Sequence, residues 1–126
     1  MISGILCGDI TSLLEKGLDL ASLRHWAISN NIANVNTPGY KRRDVDFQAE
    51  MRKAMEDRQS PGEPGADGPG TVFVDQSTSL RNDGNNVDVD FEMTCLAENS
   101  ILYSALARQL SSRFQLMRTV ITEGRR

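Results

Sequence analysis

Apolar residues recur every three or four positions along the N-terminal third of the chain. The stripe is aliphatic and consists of Leu14, Leu18, Ala21, Ile28, Ile32 and Val35, widened by Leu13, Leu20, Leu23 and Ala27. This spacing is typical of one face of an α-helix. Asp9 and Thr11 are both suitable N-caps, and Pro38 cannot continue a helix. The pattern therefore predicts an N-terminal helix over residues 10–36. Gly17 weakens its interior, unless a neighbouring helix approaches closely at that point.

A second stripe with the same period runs along the C-terminal third. It consists of Leu96, Asn99, Tyr103, Leu106, Leu110, Phe114, Met117 and Ile121. The spacing of these residues is close to a heptad repeat. Acidic residues near the start of the predicted helix and arginines near its end interact favourably with the helix dipole. We therefore predict a C-terminal helix over residues 90–122, in which the amide of Asn99 fixes the register. The fold class is expected to be mainly α, with the two long helices packed as an antiparallel coiled-coil-like pair.

The connection between these helices, residues 37–89, is predicted to hold a turn and minor structure only. A short helix with a narrow apolar face follows Asp46, which can cap it. The run at 59–70 contains four glycines and three prolines, which predicts a flexible loop. Residues 71–74 form a minor β segment that is too short to stand alone. Residues 1–126 are thus interpreted as a single domain.

The distribution of charge disfavours a nucleic-acid surface. The net charge is −3, and the excess of acids lies in residues 61–87, whereas both helical ends are balanced. A DNA- or RNA-binding face requires a basic patch, and only residues 41–43 form a basic run. A DNA-binding dimer is therefore disfavoured, while a soluble coiled-coil adaptor stays open as an alternative. No apolar run is long enough to cross a membrane, and the N-terminus lacks the basic region of a secretory signal.

Few residues in the chain are suited to catalysis or metal binding. Cys7 or Cys95 with His25 would be needed for a nucleophile and its base, but no phosphate loop or oxyanion motif accompanies them. We interpret both cysteines as small apolar residues. The acidic run from Asp83 is not a calcium loop, because its sixth position holds Asp88 where an EF-hand has glycine. The sequence therefore predicts no enzyme, no cofactor, no metal and no small-molecule substrate.

Four asparagines lie within seven residues at the end of the N-terminal helix: Asn30, Asn31, Asn34 and Asn36. Pro38 and Gly39 follow and supply the fixed φ and the positive φ of a type II turn. Residues 29–42, SNNIANVNTPGYKR, resemble the N-terminal signature of the flagellar rod, hook and hook-associated proteins. Residues 83–106 with Arg113 and Phe114 resemble one branch of that family, the proximal-rod proteins.

The resemblance implies a structural function. Two amphipathic helices that leave apolar flanks predict further packing, and a head-to-tail contact that does not close builds a helical tube. The resemblance implies that this tube is the proximal rod of the bacterial flagellar basal body, which transmits torque and carries the export channel. Another rod or hook axial protein is the alternative, because those proteins share the first motif.

The resemblance also implies partners and a location. The expected partners are copies of the chain itself, neighbouring rod proteins, the rod-base adaptor and MS ring, and the flagellar export gate, with no nucleic acid. The expected location is the periplasmic part of the basal body, reached through the flagellar type III system without a cleaved signal peptide. The candidate subunit-interface residues are Asn30, Asn31, Asn34, Asn36, Pro38, Gly39, Tyr40, Asn99, Tyr103, Leu106, Leu110, Phe114 and Met117.

Overall fold

The computed structural model describes residues 2–57 and 70–123, with side chains from Ile10 to Glu56 and from Gly70 to Glu123. Helix α1 spans Ile2–Ala33, so it begins before the predicted residue 10 and ends before the predicted residue 36. At this end the bonds shorten to three-residue steps, since Val35 N donates to Ile32 O at 3.3 Å. The amide of Asn34 also donates, through Nδ2, to Asn30 O at 2.8 Å. Asparagine side chains compete in this way with the backbone bonds of a helix.

The two short strands form one antiparallel pair. Strand β1 spans Arg43–Val45 and strand β2 spans Val72–Val74, with Arg43 opposite Val74 and Val45 opposite Val72. The sequence predicted the second strand but not its partner. Between them lies helix α2, Phe47–Asp57, whose first turn is capped as predicted, since Asp46 Oδ1 accepts a hydrogen bond from Ala49 N at 2.9 Å.

Helix α3 spans Val89–Glu123, close to the predicted 90–122. Its N-cap is Asp88, whose Oδ1 accepts a hydrogen bond from Asp90 N at 3.0 Å. Helices α1 and α3 run antiparallel, because residues later in α3 contact residues earlier in α1. Asn31 bonds Glu92, and the carbonyl of Ala21 bonds Asn99.

Most of the buried apolar side chains come from the middle of α1. They are Leu20, Ala21, Ala27 and Ile28, joined by Val45, Val87 and Cys95. The buried residues of α3 are Glu92, Cys95 and Asn99. The predicted α3 seam is wrong in part, because Tyr103, Phe114 and Ile121 are 44%, 51% and 73% exposed. One helix covers a narrower arc of α3 than the apolar stripe occupies, so these three positions fall on its flank.

The close approach foreseen at Gly17 is present. A Cβ at this glycine would lie 3.2 Å from Leu106 Cδ1 and 3.8 Å from Met51 Cε, so α1, α2 and α3 converge there. Among the described helices, none is long and apolar enough to cross a bilayer. The predicted loop at 59–70 lies outside the described residues except for Gly70, and the side chain of Cys7 is outside them as well.

Candidate functional site

The two signature segments identified in the sequence meet in one cluster, which we call the polar junction. It consists of Arg24 and Asn31 of α1, Arg42 and Asp44 at β1, Asn85 and Asn86 before α3, and Glu92 of α3. The second segment of the resemblance thus folds directly onto the first. This contact joins the end of α1 to the start of α3.

Asn31 lies at the centre of the polar junction and is fully buried. Its Nδ2 donates to Arg43 O at 2.7 Å and to Glu92 Oε2 at 3.1 Å. Its Oδ1 accepts from Arg43 N at 2.9 Å and from Tyr40 Oη at 3.4 Å. A buried amide with both groups engaged is stabilising, whereas the same amide unpaired would be costly.

Two arginines and two carboxylates neutralise one another beside Asn31. Arg42 Nε donates to Glu92 Oε1 at 2.5 Å, and Arg42 Nη2 donates to Asp44 Oδ2 at 2.7 Å. Arg24 Nε reaches the other oxygen of Asp44 at 3.1 Å. Burial by itself would lower the pKa of Arg42, but its hydrogen bonds to Asp44 and Glu92 outweigh this and leave that pKa raised. The guanidinium of Arg42 also lies 4.9 Å from the centre of the Phe91 ring.

The predicted type II turn is confirmed in the backbone. Gly39 has φ 71°, and Tyr40 N donates to Thr37 O at 3.3 Å. The turn is held from outside as well, because Gly39 N donates to Asp83 O at 3.0 Å. Asn86 Oδ1 accepts from Arg42 N at 2.7 Å, which fixes the strand that follows the turn.

The candidate interface residues divide into inner and outer ones. Asn31 and Asn99 are 0% and 2% exposed, so they bond within the chain rather than present a surface to another subunit. Asn99 Nδ2 donates to Ala21 O at 2.8 Å, while its Oδ1 is buried without a hydrogen-bond partner. Exposed positions are Asn36, Pro38, Gly39, Tyr103 and Phe114, and partly buried ones are Asn30, Asn34, Tyr40, Leu106, Leu110 and Met117.

Sequence reasoning missed the residues that hold the polar junction, namely Arg24, Asn85, Asn86 and Glu92. A usable signal for Glu92 was present, because Glu92, Cys95 and Asn99 step by three and four on one face of α3. Asn85 and Asn86 gave no such signal, since they lie outside any helix or strand.

Apolar side chains remain uncovered on the last third of α3. Leu116, Val120 and Ile121 are 65%, 71% and 73% exposed. We call these three residues with Phe114 the distal face. An open groove of about 400 Å³ adjoins it and is lined by Leu18, Ala107, Leu110, Ser111, Phe114, Gln115 and Arg118. Large exposed apolar side chains on more than one side of a helix favour contacts with other proteins.

The arrangement of the described side chains does not favour catalysis. Among the described residues no group of three or more His, Cys, Asp or Glu side chains could hold a metal ion. Cys95 is buried, and burial raises the pKa of its thiol, which keeps it protonated and poorly nucleophilic near neutral pH. His25 is exposed.

Comparison with known proteins identifies the family. The family model described as "Flagella basal body rod protein" matches residues 15–41. The chain is 36% identical over 119 residues to the flagellar basal body rod protein FlgB of Bacillus subtilis, covering 89% of this chain and 92% of that protein. The FlgB of Borrelia hermsii is 36% identical over 125 residues, with 86% and 93% covered. The FlgB of Escherichia coli K12 is 30% identical over 132 residues, with 87% and 91% covered.

The chain belongs to the FlgB family of flagellar basal body rod proteins. This is a family of structural rod proteins and not of enzymes. The match confirms the branch that the sequence indicated, because the relatives named are rod proteins of one kind and the matched region spans both signature segments.

Proposed function

We propose that this chain is a structural subunit of the proximal rod of the flagellar basal body. Copies assemble head-to-tail with one another and with neighbouring rod proteins into a helical tube that transmits torque and carries the export channel. The subunit reaches the periplasmic part of the basal body through the flagellar type III system. There it meets the rod-base adaptor, the MS ring and the export gate.

The observation that carries this proposal is the distal face. Leu116 and Val120 lie on one flank of α3 and Phe114 and Ile121 on another, so one partner helix cannot cover them all. A contact between this surface and a different surface of the next copy is heterologous, and such contacts build open helical assemblies unless they close into a ring. The exposed candidates Tyr103 and Phe114 and the turn at Pro38 and Gly39 are the surfaces we assign to these contacts.

Membership of the FlgB family supports the proposal independently of the distal face. Relatives described as flagellar basal body rod protein FlgB align with this chain over nearly their whole length. The polar junction supports it too, since its amides are satisfied within the chain and leave the helix pair as a preformed unit for assembly.

The test uses Val120→Asp in a strain that lacks its own copy of this gene. We expect loss of swimming, because a charge on a face that becomes buried in the tube costs several kcal/mol at every copy. The purified variant should keep its helix content by circular dichroism, since Val120 is 71% exposed in the single chain. Ser112→Asp, at an exposed polar position of the same helix, is the matched control and should swim.

A second variant separates folding from assembly. Leu106→Asp places a charge against Gly17 where the helices converge, so it should reduce helix content in the isolated chain as well as swimming. If the Val120→Asp strain swims normally, the distal face is not an assembly contact and the proposed tube is wrong.

A further inference from the structure

The segment before α3 has a structural role of its own. Residues 75–88 form no helix or strand, and we call them the clasp. Asn85 is the best-bonded residue of the clasp and is fully buried. Its Nδ2 lies 3.2 Å from Asn34 O, 3.1 Å from Val35 O and 2.9 Å from Thr37 O.

These three carbonyls belong to the turn that follows α1, beyond its regular helix bonds. Asn34 O and Thr37 O also accept turn bonds, from Thr37 N at 3.0 Å and from Tyr40 N at 3.3 Å. Capping of such groups is usually local, by a glycine or a nearby side chain. Here the donor comes from about fifty positions further along the sequence. Arg81 Nη1 adds a second donor from the clasp, to Val35 O at 2.9 Å.

The clasp is attached almost wholly through polar groups. Asn86 Oδ1 accepts from Arg42 N at 2.7 Å, and Lys41 Nζ donates to Thr78 O at 2.9 Å. Its one buried aliphatic side chain is Val87, whereas Leu80 is 65% exposed. The α1 and α3 helices instead share an apolar core around Leu20 and Ile28.

Segments with few buried apolar contacts open locally at lower free energy than the core does. We infer that the clasp is a separate opening unit, closed by the side-chain amide of Asn85, which locks the end of α1 and its turn onto the start of α3. When the clasp opens, the turn at Pro38 and Gly39 loses the bond between Gly39 N and Asp83 O. The clasp therefore controls whether this exposed turn has a fixed shape. The inference does not depend on the proposed assembly.

Native-state hydrogen exchange of the full chain in low urea tests this without any substitution. The amides of Gly39, Leu80 and Arg81 donate to clasp carbonyls and report its opening, since Leu80 N and Arg81 N both bond Asn85 O at 3.1 Å. They should exchange through one shared opening that is at least about 10-fold more frequent than the opening that exposes α3 amides at 99–106. Equal protection in the two sets would overturn the inference.

Substitution then tests the role of Asn85. Asn85→Ala should speed exchange of the clasp amides by about 10-fold or more, because the clasp loses the buried amide that bonds Asn34 O, Val35 O and Thr37 O. The exchange rates of the amides at residues 99–106 should change by no more than about 2-fold. Asn85→Asp keeps the shape but replaces the donor with an acceptor, so its effect should be at least as large. The control is Asn82→Ala, an exposed asparagine of the same segment, which should leave every rate unchanged.

Two results would contradict this role. If Asn85→Ala speeds the amides at 99–106 by the same factor as those of the clasp, Asn85 supports the whole fold and the clasp is not a separate unit. If the exchange of Gly39, Leu80 and Arg81 is unchanged, the three hydrogen bonds of Asn85 do not close the clasp.

Discussion

Neighbouring asparagines in this chain have opposite environments. Asn30 Nδ2 bonds only Trp26 O one helical turn earlier, at 2.8 Å on the exposed side of α1. Asn31, the next residue, is fully buried and joins β1 to α3. An amide is suited to both positions, since it carries two donors and an acceptor on a short side chain.

The pair gives a prediction at the scale of single residues. Asn31→Ala should lower the free energy of unfolding by about 3 kcal/mol, because the buried carboxylate of Glu92 and the backbone N–H and C=O of Arg43 would each lose a partner. Asn30→Ala should change it by less than about 0.5 kcal/mol, as is usual for surface substitutions. Urea denaturation of both variants beside the wild type measures this. Equal losses would show that Asn31 has no special place in the fold.

At the scale of elements, three helices converge on one glycine. Gly17 is buried in α1, and Leu106 of α3 and Met51 of α2 come close enough to contact a Cβ at this position. The space at this position admits little more than a Cβ, so a large side chain would push the helices apart. The helix loses some intrinsic stability through this glycine, by about 1 kcal/mol relative to alanine.

Two substitutions at Gly17 should therefore differ in effect. Gly17→Ala should be close to neutral, because the gain in helix propensity offsets a 3.2 Å contact with the movable end of Leu106. Gly17→Leu should cost about 1–3 kcal/mol through overpacking. Ser22→Leu, at an exposed position of the same helix, serves as the control in thermal unfolding. A stable Gly17→Leu variant would show that the three helices can separate without cost.

At the scale of the whole molecule, the protein has a small core and long helices. Seven apolar residues are buried among those described, while apolar side chains such as Ile101, Leu116 and Val120 stay exposed. Helices of this kind gain most of their stability from packing rather than from intrinsic propensity. In the single chain, Leu116 and Val120 in the last third of α3 are 65% and 71% exposed.

Assembly should therefore increase helix content. Circular dichroism of the dilute chain should show less helix than the assembled form, with the difference arising in α3 beyond about residue 113. The melting temperature should rise with protein concentration as copies associate. Equal helix content in dilute and assembled samples would argue that α3 is rigid on its own and that its apolar surface needs no partner.

Interactions between residues close in sequence were sufficient to predict much of the secondary structure of this protein. The spacing of apolar residues predicted both long helices, Asp46 predicted the cap of α2, and the pair Pro38 and Gly39 predicted the turn. Each of these depends on neighbours within a few positions, so the sequence is sufficient to infer them. The family likewise follows from contiguous residues, since its signature lies in residues 29–42.

Only the tertiary structure decided which polar groups face inward. The sequence placed Asn31 and Asn99 among the candidate contacts between subunits, and it gave no role to Asn85 or Glu92. Periodicity shows that a residue lies on a helix face but not which other segment covers it. The partners of Asn85 are about fifty positions away, and those of Glu92 are fifty and sixty-one positions away. Such pairings are set by the packing of α1 against α3, because that packing removes these groups from water and forces them to bond one another.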